Sequence, residues 1–170
     1  MKSSNYFNDV QFILKSDFRI KLFLFFTGFI GVCPSCNAQS NLPCDTSLWH
    51  NIYKSKRLIV KEECKIVKGI IVSKKNELDG DVHIKLKLDS GQNIILAKKN
   101  YSELDSCIII EPICVNRVIQ PGAFKSCNGY INQIVIPGIG QHVSVTGSLV
   151  IDTKHEWMEI HPITKITLLE

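Results

Sequence analysis

The clearest pattern of apolar and polar positions in the chain runs over residues 141–152. Val143, Val145, Gly147, Leu149 and Ile151 share one parity, while His142, Ser144, Thr146, Ser148 and Asp152 take the other. Alternation with period two over that length predicts an antiparallel strand with one face on the core and one on solvent. A second alternating run covers 82–89, with Val82, Ile84, Leu86 and Leu88 inward and His83, Lys85, Lys87 and Asp89 outward. Asp79-Gly80 just before it is a hairpin signal, joining it to an apolar run over 64–73 that carries Gly69 in its middle. A glycine inside a strand marks a bend or bulge. A long first strand needs such a bend if a small sheet is to close on itself.

Residues 107–114 read as a third substantial strand, and 157–162 as the last, with Pro162 expected to end regular pairing. Between these, 93–97 has room for a brief strand only, and 98–106 reads as a charged loop. Residues 117–127 lack alternation and are the helical candidate, kept short by Pro121-Gly122, and 128–140 is loop-like. Upstream, 50–57 is compatible with a short helical turn, and 58–60 is apolar enough to touch the body. The expected fold is all-β with one short helix. Its order of three strands, a helix and two strands is that of a five-stranded OB-like Greek-key barrel. An SH3-like barrel and an open sandwich are the rivals, because strand count alone does not fix closure.

The hydrophobic share of 45% suits a packed core, and 170 residues suit one domain. Part of that share lies in 22–32, an apolar run preceded by Lys15, Arg19 and Lys21. A positive flank and a short apolar centre are the parts of a Sec-type signal, and the run is shorter than the roughly 20 residues that span a bilayer. Cys36 and Ala38 supply small residues at −3 and −1, so cleavage is expected before Gln39. The long polar lead leaves a later start or an uncleaved signal as alternatives. Lipid anchoring fits less well: Cys33 follows Val32 where a small residue is wanted, and Cys36 lacks an aliphatic residue three places earlier. The expected organisation is a signal peptide with polar lead at 1–38, an N-terminal arm at 39–57 and the barrel domain at 58–170. The mature protein would be secreted or periplasmic, without a spanning membrane helix.

Without residues 1–38 the net charge falls from +4 to +2, since four basic and two acidic side chains leave. A dedicated nucleic-acid binder shows a clear basic excess, so this balance argues against one. Five cysteines remain: Cys44, Cys64, Cys107, Cys114 and Cys127. In an oxidising compartment they suggest two bridges and one leftover thiol, and spacing does not choose among the possible pairings. No C-x-x-C pair remains to support a thioredoxin-like site or a zinc ribbon.

Three blocks stand in order: Leu78-Asp79-Gly80-Asp81-Val82-His83; Glu111-Pro112-Ile113-Cys114 leading to Cys127-Asn128-Gly129-Tyr130; and Val143-Ser144-Val145-Thr146-Gly147 leading to Glu159-Ile160-His161-Pro162. Together they resemble a family of small secreted or envelope-associated bacterial proteins without an established activity. The match runs from about residue 57 to 166. The resemblance implies an OB-like barrel and a bridge between Cys114 and Cys127. It carries no catalytic residue, and Cys107 stands outside its pattern. Cys44 with Cys64 is the second expected pair.

Asp79, Asp81 and His83 sit at the start of the second strand, and Trp157, Glu159 and His161 on the last. In an OB-like barrel both strands flank the third, so two imidazoles and their carboxylates could bind a divalent metal or act as acid and base. The plainer reading has Asp79 and Asp81 shaping the turn through backbone bonds and each histidine fastening a strand end. Lys85, Lys87, Lys98 and Lys99 could line a nucleic-acid groove, but the second and third strands carry no aromatic stacking platform. Secreted nucleases of the staphylococcal type have similar topology but need paired arginines, and only Arg57 and Arg117 follow residue 38. No serine or cysteine nucleophile sits in a diagnostic turn, and a free Cys107 reads as a buried apolar side chain. No cofactor is expected. The reading is a non-enzymatic exported module binding a ligand or partner through the loops at 79–81 and 152–157. A metal-dependent hydrolase using Asp81, His83, Glu159 and His161, and weak oligonucleotide binding, are the alternatives.

Overall fold

The computed structural model describes residues 44–170; the signal expected at 1–38 and the start of the arm, 39–43, lie outside the described residues. Those described are mostly β: β1 Leu58–Asn76, β2 Val82–Leu88, β3 Ile108–Ile110, β4 His142–Asp152 and β5 Trp157–Leu168. β1 runs antiparallel to both β2 and β4, β2 to β3, and β4 to β5, while β3 and β5 are parallel. Hydrogen bonds therefore pass round a ring, β1-β2-β3-β5-β4 and back to β1. Apolar side chains from all five strands fill its interior, among them Ile71, Ile84, Ile110, Val145 and Ile160.

β1 is 19 residues long and changes partner in its middle. Its first part pairs with β4 and its last part with β2, Gly69 and Ile70 pairing with both. A Cβ on Gly69 would lie 2.2 Å from the carbonyl oxygen of Lys87. Only glycine lets the two backbones approach that closely where β1 passes from one partner to the other.

β4 follows the expected alternation at Val143 and Val145, then departs from it: Thr146, Ser148 and Asp152 are buried. The outer face of its second half is covered. Val150 belongs to a second apolar cluster with Leu48, Ile52, Leu58, Ile113 and Cys114, built where the N-terminal arm packs on the ring. The arm forms short 3-10 turns at Thr46–Asn51 and Ser55–Arg57 and is bonded to β1 through the disulfide Cys44–Cys64.

β5 does not end at Pro162; it continues to Leu168. Proline cannot donate to the ladder, so the pairing shifts register there and resumes with Ile163 opposite Gly147. A side chain at Gly147 would lie 2.5 Å from the Pro162 carbonyl oxygen, so glycine is what lets the shifted strands stay paired.

The helical expectations need correction. A helix over 117–127 would be about 16 Å long. The second disulfide, Cys114–Cys127, holds its Cα atoms 5.5 Å apart. The segment closed by that bridge holds only a 3-10 turn, Pro121–Ala123, built on the Pro121-Gly122 pair that limits any helix there. The expected charged loop instead carries α1, Lys98–Glu103, and the brief strand expected at 93–97 is a 3-10 turn, Asn93–Ile95. Asn100, fully buried, explains α1. Its Nδ2 donates to the carbonyls of Cys107 and Met158, and its Oδ1 accepts from the amides of Ala97 and Met158, all at 2.8–3.0 Å. Among the described residues no helix is long and apolar enough to cross a membrane.

Candidate functional site

The register of the ring sets β2, β3 and β5 side by side, with Ile84 opposite Ile110 and Ile110 opposite Ile160. One residue beyond or before each of these pairs stands a polar side chain: His83 on β2, Glu111 just after β3, and Glu159 and His161 on β5. His83 Nε2 lies 2.9 Å from Glu111 Oε1, and His161 Nδ1 lies 2.8 Å from Glu111 Oε2 and 3.4 Å from Glu159 Oε2. Trp157 Nε1 donates to Glu159 Oε1. Glu111, Glu159 and His161 are buried, whereas the His83 side chain keeps 22% of its exposure.

Charges buried this close set one another's protonation. Burial opposes charge on His161, but the flanking Glu111 and Glu159 outweigh it and hold its pKa well above the usual histidine range. Burial likewise works against His83, and Glu111, with smaller contributions from Glu159 and Glu77, still raises its pKa. For Glu111 burial favours the neutral acid, yet His161 and His83 prevail and hold it below the carboxylate range.

His83 and Glu111 open into a cavity of about 360 Å³ that Asp79, Lys154, His155 and Trp157 also line. Its rim includes Tyr53, Lys54 and Arg57 from the arm and Lys75 and Glu77 from the first hairpin. Lys75 pairs with Glu77 at 2.8 Å, and Glu77 lies 3.8 Å from His83 Nδ1. The turn between β4 and β5 is fixed from below. Fully buried Asp152 places Oδ2 3.0 Å from Arg57 Nε and 3.3 Å from His155 Nδ1. His155 in turn packs against the Trp157 ring, with centroids 4.3 Å apart. A larger hollow of about 490 Å³ beside Val118 and Phe124 has one charged lining side chain, Arg117.

The residues singled out in the sequence separate into two groups. His83, Trp157, Glu159 and His161 join one network, while Asp79 lies on the cavity wall. Asp81 is turned away from it: buried, it accepts a 2.7 Å hydrogen bond from the Cys114 amide, and its own amide reaches Asp79 Oδ1 at 3.4 Å. The local bond that shapes the turn is thus made by the Asp79 carboxylate, while Asp81 ties the turn to Cys114. Glu111 links the two histidines and was missed. Its signal was available, as the one charged residue in the apolar run 107–114, where burial without a partner would be costly. Asp152 and His155 lie in the expected loop 152–157, but the pairing of a buried Asp152 with Arg57 and His155 was not legible, because the alternation puts Asp152 on the solvent parity. Lys85 and Lys87 both reach Asp105, at 3.1 and 3.3 Å, and Lys99 pairs with Glu103.

Three sets of ligand-type atoms lie within 4.8 Å of one another among the described residues: Asp81 with Cys114 and Cys127, His83 with Glu111 and Glu159, and Asp152 with His155 and Glu159. The first is closed to metal, since its sulfurs are bonded to each other and a metal takes the thiolate. Comparison of the chain with family models, curated proteins and solved structures finds no match.

Proposed function

We propose that the chain is an exported, OB-like barrel module that binds a small anionic ligand in the cavity over His83 and Glu111. The observation that carries this reading is the convergence of two loops distant in sequence. Asp79 from one, and Lys154, His155 and Trp157 from the other, line the same cavity as the buried histidine–carboxylate network. Polar groups converging on one concavity are what a ligand site needs. Anion selectivity follows from the charges left over. Arg57 is engaged by Asp152 and Lys75 by Glu77, while Lys54 and Lys154 have no ion-pair partner among the described residues and outnumber Asp79, the one lining carboxylate outside an ion pair.

The ring order, with β3 and β5 parallel and a bent β1 shared by two neighbours, supports the OB-like reading. The short α1 between β2 and β3 departs from the expected position of its helix. The two bridges favour an oxidising compartment and so support export. No serine or cysteine is among the side chains lining the cavity, which favours binding over nucleophilic turnover. Oligonucleotide binding loses support because Lys85, Lys87 and Lys99 are engaged within the fold.

Calorimetric titration of the full chain with inorganic phosphate and with succinate, in the presence of a chelator, tests the proposal. At least one should bind saturably, more weakly at high salt. The double change Lys54→Ala with Lys154→Ala should weaken that binding at least tenfold. Absence of binding by both, or an affinity untouched by the double change, would overturn it.

A further inference from the structure

We infer that the floor of this cavity is a site for a divalent cation of the zinc class, held by His83, Glu111 and Glu159. The inference rests on the cavity being a binding site, because the ion's open position faces into it. The donor atoms come from three neighbouring strands or their ends and already lie within 4.8 Å of one another. Tetrahedral zinc, with bonds of about 2.0–2.2 Å, holds its ligands about 3.4 Å apart. Closing the set therefore means drawing donors that lie within 4.8 Å to about 3.4 Å of one another. One imidazole and two carboxylates are donors suited to zinc and its neighbours. Three protein ligands leave a fourth position for water or an anion.

Two further observations point the same way. Glu111 Oε2 and Glu159 Oε2 are both buried and share one facing group, His161 Nδ1, whose single N–H can satisfy only one of them, so one oxygen is left without a partner. The surroundings also have the form of an outer shell around a metal: His161 Nδ1 stands behind both carboxylates at 2.8 and 3.4 Å, and Trp157 Nε1 fixes the other oxygen of Glu159. His83, partly exposed on the cavity wall, gives the ion its way in. The alternative set of Asp152, His155 and Glu159 is a poorer choice. Arg57 Nε is already 3.0 Å from Asp152, so a cation there would have to break the pair that ties the arm to the turn between β4 and β5.

The rival account is a closed network in which His161 alone balances the carboxylates and His83 only pairs with Glu111. Full-chain protein stripped with a chelator and titrated with zinc chloride separates the two. Zinc should bind at one equivalent. His83→Ala and Glu159→Gln should each weaken it at least tenfold, while His142→Ala, altering the surface pair with Asp89, should leave it unchanged. Because Glu159 is buried and its variant could misfold, a second measurement uses the unchanged protein. Zinc should protect His83 from carbethoxylation by diethyl pyrocarbonate, read by peptide mass. No saturable uptake, uptake undiminished in His83→Ala, uptake lost in His142→Ala, or equal modification of His83 with and without zinc would each overturn the site. Phosphate or succinate binding in chelator that persists while zinc fails removes only the cation. Zinc uptake without anion binding removes only the anion.

Discussion

Asp81 and His83 stand two positions apart at the start of β2, and the fold gives them opposite surroundings. His83 faces the cavity, whereas the Asp81 carboxylate is enclosed and held by the Cys114 amide. Burial, and after it the charge of Glu111, push the Asp81 pKa up from 3.8 to about 7. The folded chain therefore keeps a proton that the unfolded chain releases, and stability falls as pH rises through that window. Asp81→Asn keeps an acceptor for the Cys114 amide and removes the charge. It should be more stable than the unchanged protein at pH 8, by up to about 4 kcal/mol, with the difference gone near pH 4. Urea unfolding in chelator at both pH values measures this, and a variant less stable at pH 8 would contradict it. The network has its own signs. The raised His83 and His161 contribute stability that is fully present below 6.5 and lost as pH rises through their folded values. The lowered Glu111 contributes stability present above 4.5 and lost as pH falls. Asp81 already loses stability as pH rises above 3.8, so urea midpoints should peak near pH 4.5 and fall through 6.5; a peak above pH 7 would show that the network is not charged in this way.

At the scale of elements, period two is legible where one face of a strand stays open to solvent, as in β2, and misleads where that face is covered, as in the second half of β4. Val82, Ile84, Leu86 and Leu88 point inward as their alternation says, and Gly69 lies where β1 changes partner, while the register irregularity of that pairing falls at Ile71–Ser73. Elements held by a single tertiary contact could not be read. Residues 98–103 have no apolar stripe, and the helix there is held by one buried amide, Asn100, bonded to β5 across 58 positions. The reverse holds at 117–127, where missing alternation reads as helical and the chain forms only the 3-10 turn Pro121–Ala123 inside the loop closed by Cys114–Cys127. The candidate site was legible by the same measure. His83, Glu159 and His161 could be placed on neighbouring strands, but Glu111 lies between them in space and hides inside an apolar run. Asn100→Ala tests the tertiary account of α1. Removing the amide leaves buried Met158 and Cys107 backbone groups without partners, at about 1–3 kcal/mol for such losses. Urea unfolding should show that loss, and hydrogen exchange should speed first in 98–106. A variant of unchanged stability would mean that α1 is held by something else.

For the molecule as a whole, the arm carries as much of the proposed function as the ring does. It supplies Tyr53, Lys54 and Arg57 to the cavity rim, and Leu48 and Ile52 to the cluster over Val150. It is fixed at two places, the Cys44–Cys64 bridge and the Arg57–Asp152 pair, where Thr153 also bonds to the Arg57 carbonyl through its amide and hydroxyl. The bridge closes a loop of 20 residues, for which loop-closure entropy gives about 3 kcal/mol. Changing Cys44 and Cys64 together to serine should lower stability by that order. If the arm is held in place chiefly by the bridge, phosphate or succinate affinity should fall as well, because Lys54 is no longer kept at the rim. If the Arg57–Asp152 pair is sufficient, stability should fall while affinity stays. Adding Arg57→Ala to the serine pair should then remove the affinity, while zinc uptake, whose ligands all lie within the ring, should continue. Loss of zinc uptake in that folded variant would tie the cation to the arm and contradict the assignment of its ligands to β2, β3 and β5.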